Sequence, residues 1–132
     1  MNTAIPKRLQ EYINAELHDA ELYRILAKSA PNEETRTILL RFAKNEQEHS
    51  DEFLRIYKLM TGYTFEPEPL PITESGSYRS ILKNRILDET KDSDKYRREY
   101  MKINDNFKLK RAFFNAFNDE LRHAIEIIYI LI

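Results

Sequence analysis

Phe42-Ala43-Lys44-Asn45-Glu46-Gln47-Glu48-His49-Ser50-Asp51-Glu52-Phe53 decides the fold, together with its echo Ala116-Phe117-Asn118-Asp119-Glu120-Leu121-Arg122-His123-Ala124-Ile125-Glu126-Ile127. Each stretch holds a Glu-x-x-His pair, Glu46 with His49 and Glu120 with His123, between apolar residues that step by threes and fours. That spacing predicts helices and puts each Glu and His on the core-facing side. A single pair carries little weight. With 15 glutamates in 132 residues, any histidine has roughly a one-in-nine chance of a glutamate three positions earlier. Two pairs at one stripe position are a different matter.

Outward from these pairs, the helix 2 stripe is Leu39, Phe42, Glu46, His49, Phe53, Ile56. Adding 74 to each number gives the helix 4 stripe, Phe113, Ala116, Glu120, His123, Ile127, Ile130. Two further stripes are related by 73: Leu9, Ile13, Glu16, Ala20, Tyr23, Ala27 in helix 1 and Leu82, Ile86, Glu89, Ser93, Tyr96, Tyr100 in helix 3. Each of these is interrupted mid-helix by one glutamate. Asp19 and Asp92 also correspond, each three residues after its glutamate. The halves differ widely elsewhere, so the pattern reads as a pseudo-twofold site and not as a recent duplication.

The helix ends are marked by local chemistry. Helix 1 is predicted from about Pro6, tolerated in a first turn, to Ala30, with Pro31 stopping it. Asn32 caps helix 2, Glu33 and Glu34 favour its positive end, and Gly62 ends it after Met60. Helix 3 is predicted over about Ser77–Ile103. Helix 4 follows the Asn104-Asp105-Asn106 turn and starts at Phe107. Between helices 2 and 3, Thr64–Glu74 contains Pro67, Pro69 and Pro71 and should be extended. Eleven residues at ~3.1 Å each reach roughly 34 Å, the length of a helix. The expectation is an all-α, antiparallel four-helix bundle of two hairpins joined by a long crossover, with helices 2 and 3 parallel, in a single domain over 1–132.

Composition narrows the function. Two glycines, no tryptophan and no cysteine suit a helical chain and exclude disulfides, thiolate metal sites and a thiol nucleophile. The formal net charge is −1 with interleaved signs, so no nucleic-acid partner is expected. The longest apolar run, Ile127–Ile132, is far short of the ~20 residues of a membrane span. No signal-like stretch opens the chain, and a cytoplasmic location is the expectation.

Four buried glutamates carry −4, and no Lys or Arg lies on the stripes to offset them. Unpaired burial would cost several kcal/mol each. Two divalent cations with neutral histidines balance the charge, and such pairs lie ~3.5–4 Å apart. Carboxylate and imidazole donors suit iron or manganese; zinc can bind as a non-native substitute without redox work. The candidate metal ligands are therefore Glu16, Glu46, His49, Glu89, Glu120 and His123, with no catalytic residue beyond them.

Glu16, Glu46-Gln47-Glu48-His49, Glu89 and Glu120-Leu121-Arg122-His123 resemble the ligand set of the rubrerythrin branch of the ferritin-like superfamily, from about Leu9 to Tyr129. The resemblance implies a di-iron carboxylate oxidoreductase reacting with hydrogen peroxide or dioxygen, in oxidative-stress defence. The alternatives are a ferroxidase in iron handling and a non-catalytic, metal-stabilised module. Three departures are visible. The cysteine-ligated rubredoxin domain is missing, so the resemblance implies a separate electron-donor protein. Asp92 stands where the family places an extra glutamate, and His123 in Glu-x-x-His form is closer to bacterioferritin.

Other residues invite a role around the centre. Tyr23 and Tyr96 could orient ligand carboxylates or be plain core tyrosines, and Asp92 could be a nearby base or a solvated aspartate. Asp119 could orient a histidine of the adjacent helix, but its counterpart is Asn45, which argues against a shared role. His18 lies off the stripe and reads as a surface residue. The excess of apolar residues at Ile127, Ile128, Ile130, Leu131 and Ile132 points to a homodimer.

Overall fold

The structure, a computed structural model, describes residues 4–132. Four helices fill it: α1 (Ile5–Lys28), α2 (Glu33–Thr61), α3 (Tyr78–Lys102) and α4 (Phe107–Leu131). No strand occurs among the described residues, and the expected all-α four-helix bundle is what forms. The expected caps Asn32 and Gly62 are in place, and the structure adds Ser77 and Asn106. The Asn32 side chain accepts from Thr35 N at 2.8 Å, Ser77 Oγ from Ser80 N, and Asn106 Oδ1 from Leu109 N. Gly62, at φ 79°, takes the left-handed conformation and its N–H closes on Lys58 O. A side chain at that position would strain the backbone. α1 stops at Lys28, two residues before the expected end. The Ser29 and Ala30 amides reach back only three residues, to Leu26 and Ala27, a tightened last turn ahead of Pro31.

Cross-helix bonds give the directions. Gln10 meets Tyr57 and Arg24 meets Gln47, so α1 and α2 are antiparallel. Arg8 pairs with Glu99 while Asp19 pairs with Arg85, so α1 and α3 are antiparallel. Arg41 with Glu126 and His49 with Asp119 make α2 and α4 antiparallel. It follows that α2 and α3 run parallel, as the length of the proline-rich crossover allows. The crossover climbs along α1. Phe65 packs on Tyr57, Glu68 N donates to Asn14 Oδ1 at 2.8 Å, and Glu74 accepts from His18.

The core is two apolar slabs. One gathers Leu9, Ile13, Phe53, Tyr96, Leu109 and Phe113. The other gathers Leu22, Tyr23, Leu39, Phe42, Leu82 and Ile127. On every helix the stripe carboxylates lie between the two in sequence, so the bundle carries a polar layer at its waist. No described helix is long and apolar enough to cross a membrane.

Candidate metal centre

All six stripe residues are buried in that layer: Glu46, Glu89 and Glu120 are fully buried, and Glu16, His49 and His123 nearly so. They form two overlapping groups of ligand atoms, each spanning less than 4.8 Å. Glu16, Glu46, His49 and Glu120 make one; Glu46, Glu89, Glu120 and His123 make the other. Glu46 and Glu120 belong to both. Each histidine points Nδ1 into the cluster. His49 Nδ1 lies 3.0 Å from Glu16, 3.4 Å from Glu120 and 3.6 Å from Glu46. His123 Nδ1 lies 3.4 Å from Glu46 and 3.5 Å from Glu89.

Among the described residues, both oxygens of Glu46 and of Glu120, Oε2 of Glu89 and Nδ1 of His123 have no hydrogen-bond partner. Buried polar atoms without partners are rare in native interiors and cost about 1–3 kcal/mol each, more when charged. Apart from these, only Glu126 Oε2 is unpartnered among the described buried side chains; the cluster atoms face one another, and all are oxygen or imidazole donors. A divalent cation of the iron or manganese kind matches that donor set.

The electrostatics carry the same strain. Burial pushes Glu46 well above the usual carboxylate range, and the negative Glu120, Glu16 and Glu89 push it further. Glu120 rises for the same reasons. Burial works against a charged His49, yet hydrogen bonds with Asp119, Glu120 and Glu16 outweigh it and hold its pKa well above the ordinary value. Glu89 is the exception among the carboxylates. Burial would raise it, but His123 and Arg85 bring it down to about 2.

Arg85 was not legible as a site residue. It lies off the helix 3 stripe, yet it is only 4 % exposed. Its Nη2 reaches Glu89 at 2.8 Å and Asp19 at 3.0 Å, and its Nε donates to Tyr23 Oη. Absence of Lys and Arg from the stripes therefore did not mean absence of a cation from the interior. The charge balance survives, because Asp19 is buried too. Five buried carboxylates (Glu16, Asp19, Glu46, Glu89, Glu120) against one guanidinium still leave a formal −4 around the cluster.

The remaining residues sort as follows. Tyr23 donates to Glu89 Oε1 at 2.5 Å and so orients it. Tyr96 is buried among Tyr12, Phe53 and Phe113, and burial with the nearby Glu16 and Asp92 keeps its hydroxyl protonated. Asp92 is half-buried and forms a third acidic group with Asp19 and Glu120; burial pushes it up to about 7, with Lys95 opposing. Asp119 corrects the sequence reading. Its carboxylate meets His49 Nε2 at 2.7 Å, and Asn45 Oδ1 meets His123 Nε2 at 3.0 Å. The two positions do share the orienting role, across the hairpins, because an amide oxygen and a carboxylate both accept from an imidazole. His18 is likewise not a free surface residue. It bridges Asp19 at 2.7 Å and Glu74 of the crossover at 3.0 Å.

Comparison with known proteins places this arrangement. The family model for rubrerythrin matches residues 7–76, just over half of the chain. The chain belongs to the rubrerythrin family. The matched span covers the first hairpin and the crossover of this rubrerythrin-family protein. The second hairpin lies outside it, and Glu89, Glu120 and His123 join the cluster through the internal repeat and the geometry. A relative in Bacillus subtilis (strain 168), described as uncharacterized protein YhjR, is 30% identical over 125 residues, covering 95% of this chain and 85% of its own length.

Proposed function

We propose that the cluster is a di-iron centre with Glu16, Glu46, His49, Glu89, Glu120 and His123 as its ligands, and that the protein is an oxidoreductase reducing hydrogen peroxide or dioxygen. The carrying observation is the set of orphaned carboxylate oxygens that, with the orphaned Nδ1 of His123 and the Nδ1 of His49, face one another in two overlapping groups. Family membership supports iron over manganese or zinc. Two ferrous ions would supply the two electrons that, with two protons, convert one peroxide to two waters. The chain's own residues prepare the site. Tyr23 and Arg85 fix the Glu89 carboxylate, Asp119 and Asn45 fix the imidazole rings, and the two apolar slabs close the layer to bulk water on both sides. None of these 132 residues is a cysteine that could relay electrons, and we propose that a donor outside this bundle restores the ferrous state.

The test is anaerobic loading with two equivalents of Fe(II), then stopped-flow mixing with peroxide under optical detection. Ferric absorbance should appear at a rate at least about a hundredfold above that of free Fe(II), and Glu46→Ala should abolish the bound-iron signal. A rate no faster than free iron would sink the peroxidase reading. Rapid oxidation by dioxygen with ferric iron released into solution would replace it by ferroxidase chemistry.

We also propose a homodimer, on a basis shifted from the apolar end of helix 4. Ile127 is in the core, and Ile130 and Leu131 pack against the second slab. The surplus lies instead along the outer face of α4: Phe107, Phe114, Leu121, Ile125 and Ile128, exposed by 42 to 74%. The spacing of seven, with Ile125 four beyond Leu121, is a coiled-coil seam. The internal repeat provides a control. The α2 residues 74 positions earlier are Glu33, Leu40, Gln47, Asp51 and Leu54, so the fold does not demand this stripe. With the exposed Leu87 and Met101 of α3, seven side chains at on the order of 100 Å² each approach the ~800 Å² per partner of a standard interface. Sedimentation velocity at micromolar concentration should show a dimer, and Leu121→Asp/Ile125→Asp a helical monomer. A monomeric wild-type protein would end the proposal.

A further inference from the structure

The two half-sites are pseudo-equivalent in sequence and unequal in charge. Asp119 and Asn45 hold the same place, each one residue before its glutamate, and each reaches the Nε2 of the other hairpin's histidine. One is a carboxylate and the other an amide. A carboxylate behind an imidazole raises the electron density at the opposite nitrogen and makes it a better metal donor; an amide oxygen accepts the same hydrogen bond without the charge. His49 Nδ1 therefore faces the cluster as the stronger donor, and His123 Nδ1 as the weaker.

The carboxylates are unequal in the same direction. Glu89 gives up charge to Arg85 at 2.8 Å and to the Tyr23 hydroxyl. On α1 the residue equivalent to Arg85 is Tyr12, which turns away from the cluster to donate to Glu99 at 2.5 Å. Glu16 accordingly has His49 as its close partner and no guanidinium within ion-pairing distance among the described residues. A carboxylate behind the ring and an unneutralised glutamate both favour the Glu16/His49 half. Glu46 and Glu120 are common to both groups and do not discriminate.

We infer that the centre fills in order: the Glu16/His49 half takes the first cation, the Glu89/His123 half takes the second about 10–100-fold more weakly, and Asp119 is the positioning residue that sets the order. This rests on the two-cation reading of the site. It is tested by anaerobic calorimetric titration of the full chain with Fe(II) alone, beside iron-edge anomalous diffraction from crystals given one equivalent. Two steps separated by about 10–100-fold are expected, with the first anomalous peak against His49. Asp119→Asn should weaken the first step until the two constants lie within a few-fold of each other. Asn45→Asp should tighten the second. Both changes are near-isosteric, and circular dichroism checks that helicity is kept. Equal constants, a first peak against His123, or an Asp119→Asn variant with both constants unchanged would overturn the inference while leaving the di-iron reading intact. If no iron bound at all, both would fall.

Discussion

Arg85→Ala is expected to destabilise the metal-free protein by about 3–5 kcal/mol, the cost of removing one partner from a buried ionic network. The guanidinium sits between Asp19 at 3.0 Å and Glu89 at 2.8 Å, and all three groups are shielded from water. Its loss leaves two carboxylates facing one another across the space it filled, beside the shared Glu46 and Glu120. The Tyr23 hydroxyl also loses the guanidinium next to it. Urea denaturation of chelator-treated protein measures the effect. Asp19→Asn in the Arg85→Ala background should recover part of the loss, because one uncompensated charge is then removed. A loss under about 1 kcal/mol would mean that Arg85 does not hold the network together.

Anaerobic addition of Fe(II) is expected to raise the thermal midpoint by roughly 15–25 °C at pH 8, and by less at pH 5. Each cation at a hundred times its Kd contributes about 2.7 kcal/mol, and for a chain of this length each kcal/mol is worth roughly 3–5 °C. The pH dependence follows from the direction of the shifts. Glu46 and Glu120 are raised above their ordinary value by burial and by the negative charge of Glu16 and Glu89. A carboxyl raised in the folded state contributes stability that is complete below its unfolded pKa and is lost as pH rises through the folded one. His49, also raised, has the same sign. The metal-free protein thus weakens as pH climbs from 5 to 8. Glu89, held at about 2, acts oppositely, and its contribution is lost only as pH falls from the ordinary glutamate range toward 2. Cations that take the place of those protons spare the loaded protein the loss, so the gap between the two melting curves should widen with pH. A gap that stays constant or narrows would contradict the assignment of the buried carboxylates as the titrating groups.

Most of this architecture was readable because helical periodicity is a strong signal when it is interrupted in register. Four stripes broken at equivalent positions led directly to the meeting of Glu16, Glu46, His49, Glu89, Glu120 and His123. The proline-rich crossover was long enough to allow the parallel course of α2 and α3. What escaped has specific reasons. Arg85 stands one residue before the stripe, at the flank where long cationic side chains usually reach out to water. Only its place four residues before Glu89 hinted that it turns inward. The Asp119 and Asn45 pair was hidden by a change of residue type that preserves the hydrogen bond. His18 binds Glu74 in a segment without periodicity, where no pattern could have foretold a partner. Which residues of 127–132 face outward was not readable, because that run mixes the core and outer faces of α4.

The polar layer between the two apolar slabs has a consequence for how the chain finds its alignment. Sliding any one helix by a single turn, about 5.4 Å, would carry its glutamate into Leu, Phe and Ile of one slab and pull an apolar residue into the charged waist. Both errors are costly, and they occur together on every helix. Hydrophobic stripes alone would tolerate such a slip, since one apolar side chain replaces another. A centre made of charges does not, so the residues that make up the polar layer also serve as the bundle's axial ruler.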